Sequence, residues 1–414
     1  MKMYDVIVVG ARCAGSPTAM LLARQGHRVL VLDRASFPSD TVSTHYLHQT
    51  ALLRLQDWGL LDTIVNAGTP AIRRMHFSFQ GIELNGFAEP VNGVDAVYCP
   101  RRTLLDDTLV TGARKAGAEV VENFSVSDLL FEDGRVVGVR GRENKGPERE
   151  LRARVVVGAD GFHSTVARRV GARTYNVRPS ANFIYYSYYR GLDWGLHHKT
   201  GFNRRWIGTW PTNDDLTMLA VICNRSHLKE FRQDPEQQFL ATFDDVVPEM
   251  GKELREKGER VEPFRPMRNP DNYYRTAYGP GWALVGDAGY HKDPLTGWGM
   301  ADAFLHAEML ADRLHEGLSG ERPMDEALAD YATTRDEESE SVYDFTCTLA
   351  ELDLPPFFRA TLGAIGQSQK WTDTMLGIIA GTVHGDEIFS PEGLQRLYDE
   401  TGVPEEERVY DPTA

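Results

Sequence analysis

The chain opens with a strand, a glycine turn and a helix, and this combination restricts the fold more than any other feature of the sequence. Residues 6–9 form a short apolar strand, Gly10 starts the turn, and a helix is predicted over 18–24. A second apolar strand, 29–33, ends at the acid Asp33. A βαβ unit of this kind directs backbone N–H groups and a helix N-terminus at a pyrophosphate, with the acid at a ribose hydroxyl. The sequence therefore predicts a dinucleotide site at the start of the chain.

The turn departs from the usual Gly-x-Gly-x-x-Gly pattern at one position, because Arg12 stands where the second glycine is expected. That glycine normally lets the backbone approach the phosphates. Three roles for Arg12 are open from the sequence. Its charge compensates for the missing glycine at the phosphates, its side chain points toward the reacting end of the cofactor and the substrate, or it is an incidental surface residue. The residues predicted to contact the cofactor here are Gly10, Arg12, Cys13, Ala14, Gly15, Asp33 and Arg34.

Composition and charge argue against several other classes of protein. The 414 residues include 45 Lys and Arg against 60 Asp and Glu, and a net charge of −15 disfavours nucleic acid as a partner. The four cysteines are widely spaced and predict neither a disulfide framework nor a metal site. The N-terminus leads directly into a strand, and the most apolar late stretch, 375–383, is too short to cross a bilayer. We therefore expect a cytoplasmic protein with no signal peptide, no membrane span and no metal.

The pattern of helices and strands changes along the chain. Residues 104–116 are predicted to be helical, 126–154 to form an antiparallel meander, and 155–160 to be another buried strand. Antiparallel strands follow at 183–190, 205–210 and 216–222, then a buried strand at 282–287 and a helix at 299–314. We predict an α/β fold with a Rossmann-like dinucleotide-binding domain (1–174 and 276–322), an inserted antiparallel β-sheet substrate domain (175–275) and C-terminal helices (323–414).

Two further motifs stand at the ends of predicted buried strands. One is Gly158-Ala-Asp160-Gly161, and the other runs from Gly286-Asp287 to Met300. With the three motifs in this order, the chain resembles the FAD-dependent aromatic hydroxylases, the group A flavoprotein monooxygenases typified by para-hydroxybenzoate hydroxylase. The wider group includes geranylgeranyl reductases and flavin-dependent halogenases. The resemblance extends over about residues 3–315.

The resemblance implies FAD as the bound cofactor and NAD(P)H as a transient one. Asp287 is then expected to bind the ribityl chain, while residues 294–300 run past the pyrimidine edge of the flavin and the helix start stabilises negative charge there. Arg102 is expected at the FAD phosphates or ribityl chain, Val126 at the adenine, and the Asp160–Gly161 pair at the pyrophosphate and the NAD(P)H site. The residues implied by these motifs are Arg102, Val126, Asp160, Gly161, Asp287, Pro294, Gly297, Gly299 and Met300.

Two other chemistries share this scaffold, and the sequence disfavours both. Flavin-dependent halogenases use a lysine a few dozen residues after the first glycines, whereas this chain has no lysine between Lys2 and Lys115. Their paired-tryptophan strand motif is matched only faintly at 206–211. Geranylgeranyl reductases usually have a Cys-Gly pair after the second strand, where this chain has residues 42–45 without one. A flavin-dependent reductase or dehydrogenase acting on an alkene or C–N bond of a lipid or secondary metabolite remains the alternative.

In the hydroxylases NAD(P)H reduces FAD, O2 adds at the flavin C4a, and the distal oxygen of the hydroperoxide passes to an electron-rich substrate. The junction after the second strand lies beside the flavin in that family, which makes His45 a candidate catalytic residue. His291, in the third motif, is the second candidate. A histidine in this position can take the proton released as a ring is oxygenated. A capping or surface role is the alternative for both histidines.

The substrate is expected to lie on the antiparallel sheet. Tyr186 and Tyr188 share one face of a strand, and Trp206 and Trp210 share a face of the next, although parity alone does not say which face lines a pocket. Stacking on these rings predicts an aromatic or polycyclic small molecule. We therefore expect an FAD-dependent monooxygenase that hydroxylates or epoxidises such a molecule. The helices after residue 324 either form a homodimer interface or cover the sheet.

Overall fold

The structure is a computed structural model that describes residues 3–43, 45–267 and 269–410. Thr44, the residue before His45, lies outside the described residues. The strands are β1 (Met3–Val9), β2 (Val29–Leu32), β3 (Met75–Phe79), β4 (Ile82–Gly86), β5 (Glu119–Val121), β6 (Phe124–Glu132), β7 (Arg135–Glu143), β8 (Arg149–Gly158), β9 (Thr174–Arg178), β10 (Asn182–Arg190), β11 (Leu196–Thr200), β12 (Arg205–Thr212), β13 (Leu216–Asn224), β14 (Glu259–Arg260), β15 (Arg265–Met267), β16 (Asn272–Arg275), β17 (Tyr278–Gly279), β18 (Trp282–Leu284) and β19 (Tyr290–His291). The helices are α1 (Gly15–Arg24), α2 (Gln49–Asp57), α3 (Leu61–Asn66), α4 (Arg102–Lys115), α5 (Thr165–Arg169), α6 (Leu228–Phe231), α7 (Pro235–Val246), α8 (Pro248–Lys257), α9 (Gly299–Ser319), α10 (Met324–Leu349), α11 (Pro356–Ile365), α12 (Gln369–Ala380), α13 (Asp386–Phe389) and α14 (Pro391–Thr401).

The first sheet, called here the cofactor sheet, is built around the N-terminal βαβ unit. Its strand order is β17–β18–β8–β1–β2–β5, with β1 parallel to both β2 and β8. The antiparallel strands β6 and β7 extend it from β8. Every residue of β2 is buried, which explains its uninterrupted Val-Leu run. The three sequence motifs follow the ends of β1, β8 and β18, which are neighbours in this sheet and run in the same direction.

The second sheet, the substrate sheet, has the order β14–β10–β13–β12–β11–β3–β4. Its central strands β10, β13 and β12 are antiparallel, as the alternating sequence predicts. The sheet is wider than that pattern suggested, because β3 and β4 come from residues 75–86 and β3 pairs in parallel with β11. A small third sheet, β19–β16–β9, joins the third motif to the substrate sheet region.

Helices cover both faces of the substrate sheet. On one face, α7 and α8 pack Phe239, Phe243 and Leu254 against Tyr185 and Tyr189 of β10. On the other face, a hydrophobic core combines residues from α11, α12 and α14 with side chains from β10, β12 and β3. The C-terminal helices thus cover the sheet, which was one of the two roles left open for them; dimerisation stays a prediction.

The predicted fold class is confirmed: an α/β Rossmann-like domain, an inserted antiparallel sheet and C-terminal helices. Two predicted helices differ at their ends, since α4 begins at Arg102 and α9 continues to Ser319. Within the described ranges, no helix has both the length and the apolar character of a membrane span. The same residues contain no group of three or more His, Cys, Asp or Glu side chains arranged to hold a metal ion.

Candidate functional site

The glycines of the first motif are needed because the backbone is crowded around them. Gly10 has a φ of +103°, and a Cβ there would lie 2.3 Å from the carbonyl oxygen of Ala159. A Cβ on Gly15 would lie 1.9 Å from the carbonyl oxygen of Gly10. Asp33, at the end of β2, is buried and accepts hydrogen bonds from the backbone N–H groups of Ala11 and Ala35, each at 2.7 Å. The tight turn at Gly10–Gly15 and the Asp33 carboxylate bonded to its backbone are the arrangement expected of a dinucleotide site.

Arg12 is not an incidental surface residue, because its side chain makes several polar contacts. Its guanidinium group pairs with the carboxylate of Asp106 and donates to the backbone carbonyl (3.4 Å) and hydroxyl (3.0 Å) oxygens of Ser39. Asp106, which is fully buried, also accepts two hydrogen bonds from Arg102 Nη2, at 2.8 and 3.0 Å, and one from Nε at 3.1 Å. The thiol of Cys13 lies 3.6 Å from the same carboxylate, and burial raises its pKa to about 12. The turn and the start of α4 are thus joined through a single buried carboxylate.

The third motif packs directly on the first. A Cβ on Gly286 would lie 2.8 Å from the Cβ of Ala14, so the two turns are in contact. The side chain of the next residue, Asp287, is 44% exposed and is therefore accessible to a ligand. His291 Nδ1 lies 3.4 Å from the Asp287 carboxylate.

The second motif begins α5. The Asp160 carboxylate accepts hydrogen bonds from the backbone N–H of Thr165 at 2.6 Å and from the hydroxyl of Ser164 at 2.5 Å. Burial raises the pKa of the Asp160 carboxyl. Gly161 follows with a φ of +76°. The structure therefore gives Asp160 a capping role at this helix.

Val126 and Arg34 flank the end of β2. The backbone N–H of Phe124 donates to the carbonyl of Asp33 at 2.7 Å, which places the half-buried Val126 two residues further along β6. Arg34 is exposed. Arg34 and the start of the strand that carries Val126 thus both adjoin Asp33.

The second half of the third motif, the loop of residues 293–300 that leads into α9, is held by several contacts. Asp293 accepts from the backbone N–H of Leu295 at 3.0 Å, and burial raises the pKa of its carboxyl to about 6. Gly297 has a φ of +71°, and a Cβ there would lie 2.8 Å from the Tyr46 ring. The ion pair between Lys292 and Asp302 closes the loop at its two ends. The remaining predicted residues of this loop are Pro294, at the start of a short 3-10 turn, Gly299, the first residue of α9, and the buried Met300.

His45 is the most constrained of the predicted catalytic residues. It is fully buried, has a φ of +61°, and its Nε2 is hydrogen-bonded to the hydroxyl of Tyr188. A left-handed backbone at a non-glycine residue is strained and is concentrated at functional sites. Burial and the nearby guanidinium groups, led by that of Arg102, lower the pKa of His45 well below its usual value. The imidazole is therefore neutral at physiological pH.

Tyr188 contacts both this histidine and a cation. The guanidinium group of Arg101 is 3.8 Å from the centre of the Tyr188 ring, and burial raises the pKa of the phenol. The hydroxyl of Tyr186, on the same face of β10, accepts a hydrogen bond from the backbone N–H of Ser43 at 3.3 Å. We call the described residues 37–43 and 45 the His45 segment. Sequence parity did not show which face of β10 lines a site; in the structure, the face with Tyr186 and Tyr188 is the one that contacts the His45 segment.

The tryptophans form a second cluster on this face of the sheet. Trp206 and Trp210 flank Gly208 on β12, and His198 of β11 pairs with Gly208. The His198 ring lies 5.1 and 5.2 Å from the rings of Trp206 and Trp210. Neither His198 Nε2 nor Trp210 Nε1 has a hydrogen-bond partner among the described residues. Burial lowers the pKa of His198 to about 3.

The structure brings together some of the predicted residues and separates others. His45 contacts Tyr186 and Tyr188, whereas His291 lies beside Asp287, which is predicted to bind the ribityl chain. Sequence reasoning missed Asp106 and His198. The i,i+4 spacing from Arg102 to Asp106 was an available signal for the first, but the predicted helix began at residue 104 and so left Arg102 out; no local signal identified the second.

Comparison with known proteins identifies the family of the chain. Residues 3–346 match the model of the FAD binding domain family. The digeranylgeranylglycerophospholipid reductase of Methanocella arvoryzae is 30% identical over 327 residues, which are 72% of this chain and 74% of the reductase.

Two solved structures have the same fold. The flavin-dependent brominase Bmp2 has a TM-score of 0.82 at 19% identity, over 97% of this chain and 98% of the brominase. PqsL of Pseudomonas aeruginosa, solved with 2-aminobenzoylacetate, has a TM-score of 0.73 at 21% identity, over 92% of this chain and 99% of PqsL. The chain belongs to the FAD binding domain family and is an FAD-dependent oxidoreductase.

Proposed function

We propose that the protein is a monooxygenase that uses NAD(P)H and O2 to hydroxylate or epoxidise an aromatic or polycyclic small molecule. The observation that carries this proposal is the buried His45 hydrogen-bonded to Tyr188 on the aromatic face of the substrate sheet. The FAD-dependent monooxygenase activity named as probable for PqsL, and the aromatic compound bound to it, support the same assignment.

FAD, when bound, supplies the redox chemistry that activates oxygen. The first motif, with Arg102 and Asp287, would hold it by its phosphates and ribityl chain, and the 293–300 loop would lie at the flavin ring. Arg34, Val126 and the Asp160–Gly161 turn would complete the adenine and pyrophosphate side. NAD(P)H would bind transiently.

The His45–Tyr188 pair would manage the proton of the substrate. A neutral imidazole hydrogen-bonded to a phenol has one ring nitrogen engaged and the other, Nδ1, without a partner among the described residues. A hydroxyl or amine of the substrate would occupy that second position. As oxygen is transferred to the ring, His45 would take up the proton released there as a general base and, because its pKa is lowered, would pass that proton on to water instead of keeping it. Nearby cations, including Arg101, would favour the deprotonated substrate.

Substrate-dependent flavin reduction tests the proposal. FAD-loaded protein is mixed anaerobically with NADPH or NADH in a stopped-flow instrument, with and without a panel of phenols, indoles and anilines. Acceleration of flavin bleaching by one ligand class, followed by incorporation of isotope-labelled O2 into that ligand, supports the assignment. Absence of bleaching under every condition contradicts single-component hydroxylation.

A pair of adjacent tyrosines gives a matched control. Tyr188→Phe removes the hydroxyl bonded to His45 and is expected to lower hydroxylation by roughly 10²-fold or more, the usual range for loss of acid–base catalysis. Tyr189→Phe alters the next residue of the same strand, whose ring packs on Phe239 on the opposite face. Equal activity of the two variants contradicts the proposed role of Tyr188.

The second candidate is reduction of an alkene, which the 30% identity to a geranylgeranyl-lipid reductase favours. Under this alternative, the reduced protein would saturate a prenyl-type double bond in the absence of oxygen. Mass spectrometry distinguishes the two: a gain of two hydrogens by a prenyl lipid after anaerobic incubation indicates the reductase, and a gain of one oxygen by an aromatic ligand under air indicates the monooxygenase.

A further inference from the structure

The side chain of Arg12 faces away from the dinucleotide turn that carries it. Nη1 donates to the carbonyl oxygen of Ser39 at 3.4 Å and pairs with Asp106, while Nη2 donates to Ser39 Oγ at 3.0 Å and to the carbonyl oxygen of Asp40 at 3.5 Å. The guanidinium carbon also lies 5.3 Å from the ring of Phe37. Both terminal nitrogens of Arg12 are thus committed to the His45 segment and to α4.

The backbone conformation at residue 12 does not require glycine. Arg12 has no positive φ, unlike Gly10 two residues earlier. Its side chain could therefore be shortened without strain in the turn, and its role can be tested separately from the shape of the turn.

The opposite side of the same segment is held by the substrate sheet. Asp40 forms an ion pair with Arg265 of β15 at 2.9 Å. The backbone N–H of Ser43 donates to Tyr186, and His45 is bonded to Tyr188. The segment therefore bridges the dinucleotide turn and the residues proposed to meet the substrate.

We propose that Arg12 is a positioning residue that ties the His45 segment to the dinucleotide turn, so that cofactor binding at the turn and the placement of His45 are energetically coupled. Coupling of this kind is reciprocal: if bound cofactor changes the affinity for a ligand that orders the His45 segment from the substrate side, that ligand changes the affinity for the cofactor by the same factor. The catalytic meaning of His45 rests on the proposed function, whereas the coupling itself does not.

Hydrogen–deuterium exchange with FAD as the probe tests the coupling. In the wild type, FAD is expected to slow exchange in peptides covering 10–18 and in those covering 37–48. In Arg12→Ala, protection of 10–18 by FAD should persist, while protection of 37–48 should fall by about tenfold. Arg28→Ala, an exposed arginine paired with Asp5 in the same βαβ unit, is the matched control and should behave as the wild type.

Two results would overturn the proposal. One is equal FAD-induced protection of 37–48 in Arg12→Ala and the wild type. The other is a loss of FAD affinity by about a hundredfold in Arg12→Ala, which would show that the arginine serves the phosphates instead. If Arg12→Ala does not fold, Arg12→Lys keeps a charge beside Asp106 but not the forked contacts to Ser39 and Asp40, and the same loss of protection is expected. Failure of the monooxygenase assay leaves these exchange results unchanged, so the two proposals fail separately.

Discussion

Replacing Asp106 with alanine is expected to destabilise the protein severely. The carboxylate is fully buried and receives both Arg102 and Arg12. After the substitution, Arg102, whose side chain is 9% exposed, keeps its charge but loses its ion-pair partner. Arg12, at 25% exposure, retains its bonds to Ser39 and can be rehydrated.

The loss in free energy of unfolding therefore comes mainly from the buried guanidinium group of Arg102, which is left without a counter-charge. Breaking a buried pair by removing one partner costs about 3–5 kcal/mol, against a total stability of about 5–15 kcal/mol for typical domains. Urea unfolding of the FAD-free protein, followed by circular dichroism, measures the difference without a contribution from cofactor affinity. A lower midpoint with an unchanged slope is the expected result.

Two further variants make this measurement decisive. Asp107→Ala changes the next residue of α4, which forms no ion pair among the described residues, and should alter stability by about 0.5 kcal/mol or less. A double variant, Arg102→Leu with Asp106→Leu, replaces the pair by apolar side chains and should recover much of the loss. If Asp106→Ala costs no more than Asp107→Ala, the reasoning about this buried carboxylate is wrong.

Three other perturbations follow from the structure. Gly15→Ala places a Cβ 1.9 Å from the carbonyl oxygen of Gly10 and should abolish FAD binding in a fluorescence titration, while Gly363→Ala, which meets nothing within 4 Å, should not. Burial lowers the pKa of His198 to about 3 from its usual 6.5, so the unfolded state binds a proton that the folded state does not, and stability should fall as pH drops from 6.5 toward 3. That loss is about 1.4 kcal/mol per pH unit, and His198→Gln should reduce the slope accordingly. Trp298→Ala removes the indole that donates to the carbonyl of residue 379 at 3.1 Å, and should increase proteolysis between α12 and α13.

Each of these has an outcome that contradicts it. Retained FAD affinity in Gly15→Ala would mean that the turn can open. Parallel stability curves for His198→Gln and the wild type would mean that the imidazole is protonated inside the fold. An unchanged cleavage pattern in Trp298→Ala would mean that α12 is held by its apolar contacts alone.

The cofactor sheet was predictable because its signals are local. The apolar run of β2, the crowded glycines and the acid at the strand end are all within 33 residues of the N-terminus. The substrate sheet was predicted only at its centre, since the pairing of β3 with β11 joins residues about 120 positions apart and leaves no periodic trace at either strand.

The contacts of the candidate site were also hard to predict from the sequence, because they join residues that are far apart along the chain. Arg12 meets Asp106 across 94 positions, and His45 meets Tyr188 across 143. Sequence parity grouped Tyr186 with Tyr188 correctly on one face, but only the packing of α7 and α8 on Tyr185 and Tyr189 decides which face is which.

The C-terminal helices have a consequence for how such a chain can diversify. The family match ends at residue 346, yet α12 contributes Trp371 and Met375 to the same core as Trp206 and Trp210. One side of this core is therefore built from a stretch that carries none of the dinucleotide motifs. Changes in that stretch would alter the packing behind Trp206 and Trp210 and leave the three dinucleotide motifs intact, so that the proposed substrate face could change while the cofactor-binding residues stay the same.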